Sequence, residues 1–160
     1  MSVSTTLPDV VDGMVTTIRD LTPTMHGDRA FDLCQPDRDL RTWLASGSTE
    51  AQMRRFEVVP VGANEDPLVE DPTVNHYGRD VQILVAYPSK PLRLYGDKGL
   101  RDLERTIAAD ASLIRDAMYD AANMPDGATF IPRIEQVERD EHVWYLPVVV
   151  RVQWFELKNT

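Results

Sequence analysis

The feature that most constrains what this chain can fold into is the run HVWYLPVVVRVQWFEL, from His142 to Leu157. Read with a period of two, one face carries Trp144, Leu146, Val148, Val150, Val152 and Trp154, all apolar. The other carries Val143, Tyr145, Pro147, Val149, Arg151, Gln153 and Phe155, a mixture. Successive strand side chains point to opposite faces, so the run predicts a strand with one dry face and one partly wet face. At ~3.3 Å per residue, Val143 to Leu157 would span roughly 50 Å, far beyond the usual strand of about 5–6 residues. Such a strand is expected either to bend, with Pro147 the obvious place, or to leave its own domain and meet a neighbour.

The rest of the chain must supply its covers. Residues 7–21 predict a first helix, capped by Thr5 or Thr6, with Pro8 in the first turn. Val10, Val11, Met14, Ile18 and Leu21 give it one apolar stripe. Residues 23–53 are hard to read: Phe31-Asp32-Leu33 suggests a brief strand, and Pro36 to Ala45 a short helix with Leu40, Trp43 and Leu44 on one side. Arg54 to Val61 and Arg79 to Tyr87 predict two strands of an antiparallel hairpin, joined by an acidic, proline-marked loop over 64–75. In the second strand Val81, Ile83, Val85 and Tyr87 share a face, opposite Asp80, Gln82, Leu84 and Ala86.

A long helix follows, with Asp97 as its expected N-cap. Leu100, Leu103, Ile107, Ala111, Ile114, Met118 and Ala121 advance by three or four residues, a continuous stripe suited to lie across a sheet. Met124-Pro125-Asp126-Gly127 signals its end. Thr129 to Val137 predicts another strand, and the polar turn Glu138-Arg139-Asp140-Glu141 leads into the long one. The order gives an α+β sandwich: a mostly antiparallel four-stranded sheet packed against an N-terminal helix and a long central helix.

The length of 160 residues suits one domain, 1–160, in which residues 23–53 stand out as an insertion or arm. A net charge of −9 argues against a dedicated nucleic-acid binder, whose affinity comes largely from Lys and Arg on phosphates. The single cysteine, Cys34, allows no internal disulfide and fits a reducing compartment. The N-terminus has neither a basic start nor an apolar core, and no apolar run approaches ~20 residues. These features predict a soluble protein made in a cytoplasm, with no membrane partner.

Catalytic signatures do not emerge. His26, His76 and His142 are not within metal-ligand spacing of one another, and surface loop histidines are the expectation. There is no GxSxG elbow, GxGxxG or Walker loop, and Cys34 reads as a buried or half-buried thiol. Asp110, Asp116 and Asp120 lie along the long helix, where a solvated face outweighs acid–base work. Arg54-Arg55 is too short for a nucleic-acid patch. Aromatics and Arg are enriched at protein interfaces, which makes Arg54, Arg55, Arg151, Phe155 and Leu157 the candidate contact residues, with Trp154 in the core.

The pieces Leu7–Leu21, HYGRDVQILVAYP (76–88), Gly99–Asn123 and Ile134–Leu157 with its acidic turn together resemble the tail terminator (tail completion) proteins of long-tailed bacteriophages and related tail-like particles. The likeness covers about two-thirds of the chain and is one of layout rather than strict motif. It implies a structural virion protein, assembled in the host cytoplasm, that forms a hexameric ring. The ring would cap the tail tube, end its elongation and join the tail to the head-completion (neck) complex. Neither catalysis nor a cofactor is implied. Sheet edges and the long terminal strand would supply heterologous ring contacts, and DNA would pass through the channel without specific binding. Alternatives are another neck or tail component such as a stopper, a small metal-dependent hydrolase using His76, His142 and nearby carboxylates, or a domain that sequesters a small ligand between sheet and helix.

Overall fold

The computed structural model describes residues 6–34, 39–44, 50–65, 74–89, 95–96, 99–120 and 128–157. Its strands are β1 (Asp32–Leu33), β2 (Arg55–Glu65), β3 (Val74–Pro88), β4 (Thr129–Ile134), β5 (Glu138–Arg139) and β6 (Val143–Leu157). Its helices are α1 (Leu7–Arg19), α2 (Leu40–Leu44) and α3 (Gly99–Tyr119). The strands form one sheet in the order β1-β2-β3-β6-β4, with β5 also on β6; only β1 runs parallel to its neighbour. The fold is α+β, two helices packed on a mixed, mostly antiparallel sheet. The expected four strands are there, the brief strand suggested at Phe31-Asp32-Leu33 forms as β1, and β5 brings the count to six.

β6 neither breaks at Pro147 nor leaves its domain. Its length is matched by β3, and the two pair without a register shift from Pro88 opposite Val143 to Val74 opposite Leu157. On its other side β6 meets β4 as far as Ile134 opposite Val148, and β5 from Glu138 opposite Tyr145. Pro147 falls in the gap between them, where its carbonyl accepts from the Glu135 N–H at 3.0 Å. In an antiparallel ladder the N–H and C=O of one residue face the same neighbour, so the missing N–H takes nothing from the pairing with β3.

The dry face behaves as its periodicity predicts. Trp144, Leu146, Val148, Val150, Val152 and Trp154 join Phe56, Val81, Ile83, Val85 and Tyr87 in one buried cluster. Val10, Met14 and Ile18 of α1 and Leu103, Ile107, Ala111, Ile114 and Met118 of α3 close over it. Trp154 stacks on Tyr77 with ring centroids 5.6 Å apart. Leu100, expected on the stripe, is instead exposed in the first turn of α3, before the helix reaches the sheet.

α1 starts at a capping box: the Thr6 hydroxyl accepts from the Asp9 N–H while the Asp9 carboxylate accepts from the Thr6 N–H at 3.1 Å. It ends at Arg19, with Asp20 as C-cap, two residues before Leu21. β2 and β3 both run on into the span read as an acidic loop, whose remainder, 66–73, lies outside the described residues, as do Asp97 and residues 121–127. Glu138 and Arg139, expected in a turn, pair with β6 instead. Their side chains hold them there, since Glu138 takes an ion pair from Arg41 and the Arg139 guanidinium lies 4.4 Å from the Trp144 ring centroid.

Among the described residues, the second face of the sheet is covered at one end only. There Leu40 and Leu44 of α2, with Cys34, bury Leu84, Ala86, Val143 and Tyr145. Glu57 accepts from the Leu40 N–H at 3.1 Å and so caps the start of α2. Beyond α2 the face is open among the described residues, with Val59 at 43% and Ile131 at 55% exposure.

Candidate functional site

The most constrained polar group is Arg54, which precedes β2 with φ at 62°, a backbone region uncommon for residues other than glycine. Its side chain is wholly buried, and all five guanidinium N–H groups have acceptors. Nε and Nη2 bond the two carboxylate oxygens of Asp110 at 2.7 and 3.1 Å, the bidentate arrangement that favours arginine over lysine. Nη1 donates to the carbonyls of His26 and Arg29 at 2.7 and 2.8 Å, and Nη2 also donates to that of Met25. The Tyr87 hydroxyl donates to Asp110 at 2.7 Å. Burial, and then the Asp110 charge, push the Tyr87 phenol well above its ordinary value, so it stays protonated and serves as a donor.

A second tie lies two turns nearer the start of α3. His26 Nε2 is 2.8 Å from the Asp102 carboxylate, and the His26 ring meets Tyr95 edge-on at 6.0 Å. The Tyr95 hydroxyl donates to the Pro88 carbonyl at 2.6 Å. Residues 24–30, without regular structure of their own, are thus pinned to α3 at Asp102 and, through Arg54, at Asp110. These groups hold one another; chemically the arrangement is a clamp. Beside it lies an open cleft of about 560 Å³, lined by Arg19 and Asp20 at the end of α1, Asp28 and Arg29 in the pinned loop, and Asp32 and Met53. The cleft carries both signs of charge. Among the described residues, no group of three or more His, Cys, Asp or Glu side chains is placed to hold a metal.

The candidate contact residues separate. Arg54 is corrected: with no surface, it is unavailable to a partner and belongs to the core clamp. Arg55, Arg151 and Phe155 all point to the second face of the sheet, as their odd-numbered places in the ladder require. Arg55 pairs with Asp32, tying β1 to β2. Arg151 lies 3.5 Å from Asp80 and close over Gly78, where an added Cβ would come within 3.2 Å of Nη2. Phe155 is half-buried, with its ring 6.2 Å from that of His76. Leu157 ends β6 opposite Val74, and its side chain lies outside the described residues.

Two other expectations change. Asp110 is not on a solvated face, although Asp116 and Asp120 are exposed. A readable signal was present: Asp110 stands three residues after Ile107 and four before Ile114, squarely on the buried stripe, where a carboxylate needs a buried cation. His76 and His142 lie at opposite ends of the β3–β6 ladder, twelve or so residues and about 40 Å apart, so they cannot share a metal. His26, expected as a surface loop residue, is by contrast half of a tertiary tie.

No protein-family model matches the chain, and no curated protein matches it.

Proposed function

We propose that this chain is a tail-terminator-like structural protein, which forms a hexameric ring that caps a phage-type tail tube and meets the neck. The observation that carries the reading is the element layout. An N-terminal helix is followed by a hairpin leaving at Tyr87-Pro88, a helix of 21 residues across the sheet, and a C-terminal hairpin. That is the layout on which the resemblance rests. A second support is the partly apolar outer sheet face carrying Arg151 and Phe155, since a ring needs a surface on each subunit for its neighbour. The net charge of −9 suits a channel past which DNA moves without sticking, because counterion release needs cations on the protein.

Native mass of the purified chain, alone and mixed with tail tubes, tests the reading. A hexamer, or a monomer that becomes a ring on tubes, supports it. A monomer that never associates with tubes, or a ring with a strongly basic lumen, overturns the assignment or its channel component respectively.

A further inference from the structure

We propose that Pro60 and Pro132 are edge guards, which stop the sheet of one molecule from being extended by a strand of a second copy. The inference rests on which way each proline nitrogen points, and the hydrogen bonds of neighbouring residues decide that. On β4, the Glu135 N–H donates to the Pro147 carbonyl in line with the register that pairs Arg133 with Val149. Bonding alternates along an antiparallel strand, so Arg133, Ile131 and Thr129 turn their N–H and C=O groups inward to β6. Phe130, Pro132 and Ile134 turn theirs outward, and no described strand lies beyond β4. On β2, the carbonyls of Arg54 and Phe56 accept from Asp32 and Cys34, so the even-numbered places face away from β3. The register with β3 is regular from Arg55 to Val61, which puts the Pro60 nitrogen on that same outer side, past the end of β1.

The outer strand β4, and β2 where it runs on past the two residues of β1, therefore each carry a proline at a place where any other residue would offer a donor to an incoming strand. The hazard they guard against is visible on β4. Thr129-Phe130-Ile131-Pro132-Arg133-Ile134 is an edge strand with Ile131 at 55% and Ile134 at 38% exposure. Without Pro132 it would present three successive outward donors between apolar side chains, the character of a segment that stacks into intermolecular sheet. On β2 the register shift between Val61 and Glu65 ends what Pro60 begins. The inference does not depend on the ring reading, but within it the contacts between subunits move from the sheet edges to the sheet face.

The test compares Pro132→Val, Pro60→Val and Pro147→Val in the full chain, the last a proline whose nitrogen faces the gap between β4 and β5. Sedimentation velocity and thioflavin T fluorescence are followed over a concentration series, at temperatures where circular dichroism shows each variant folded. Pro132→Val and Pro60→Val are expected to form β-rich assemblies at concentrations roughly tenfold below the wild type, while Pro147→Val behaves as the wild type. Wild-type behaviour of both edge variants overturns the proposal. So does equal assembly of Pro147→Val, which would trace the effect to lost stability. The Pro132 ring is buried, so if that variant does not fold, Pro60→Val decides alone.

Discussion

Two single residues set the electrostatics of the interior. Arg54 and Asp110 are charges taken wholly out of water, an arrangement that is tolerable only because every guanidinium donor is used and the carboxylate has a third donor in Tyr87. Asp110→Asn keeps the volume but leaves the cation without its counter-charge, and urea denaturation should show a loss of about 3–5 kcal/mol. A loss within error of zero would mean that the three loop carbonyls alone satisfy Arg54. Glu57 gives the pH dependence. Burial raises its carboxyl above the ordinary value, against the lowering effect of the Leu40 N–H. An acid whose folded-state value is raised binds its proton more tightly when folded. Its contribution is therefore most favourable at low pH and declines as pH climbs from the unfolded value through the folded one. Glu57→Gln keeps an acceptor for Leu40 and removes the charge. Its melting temperature should exceed the wild type's at pH 7, and the two should converge as pH falls toward 4.

Among the elements, β6 and α3 were the most legible, because each has one clean period over many residues. β6 alternates through fifteen residues, and the burial of its even-numbered side chains follows. Trp154, at 3% exposure and stacked on Tyr77, anchors the far end of that face. Trp154→Ala should cost about 3–5 kcal/mol, read from the denaturation midpoint, as for other large aromatic truncations in cores. Elements without a period were harder to read: β1 falls within the brief strand suggested at Phe31-Asp32-Leu33, whereas β5 stands where a turn was expected. β1 and β5 are two residues each, too short for alternation to show. They exist because side-chain partners hold them: Arg55 on Asp32 and Arg41 on Glu138, both distant along the chain, and Trp144 close by under Arg139. α2 is five residues long and well below the length at which helices are stable alone, so its packing against Leu84 and Tyr145 decides its place.

At the scale of the molecule, among the described residues, the sheet has one face closed by α1 and α3, and a second face closed by α2 at one end alone. The open part of that second face carries Val59, Ile131, Arg151 and Phe155. Under the proposed function this surface meets a neighbouring subunit. Phe155→Asp puts a charge there without touching the buried face. Its far-ultraviolet spectrum and melting temperature should match the wild type, while native mass shows subunits that no longer close into rings. A ring that survives in this variant would remove Phe155 from the interface.

Much of the architecture follows from the sequence by itself, because hydrophobic periodicity is local and survives being read one stretch at a time. It determined the long two-faced strand, the helix that crosses it, the hairpins on either side and the α+β class. The place of Asp110 on the buried stripe was readable, but tertiary structure alone decided which charges met. Nothing within a few residues of Arg54 announces that it turns inward to meet Asp110, 56 positions later, or that His26 reaches Asp102, 76 positions later. It also decided what became of the strand's unusual length. A run read as too long for its domain is absorbed because β3 is just as long and pairs with all of it, while Pro147 sits where its missing N–H faces a gap. Pairing depends on the partner strand as well as on the run itself, and the partner's length becomes visible only once the chain has folded.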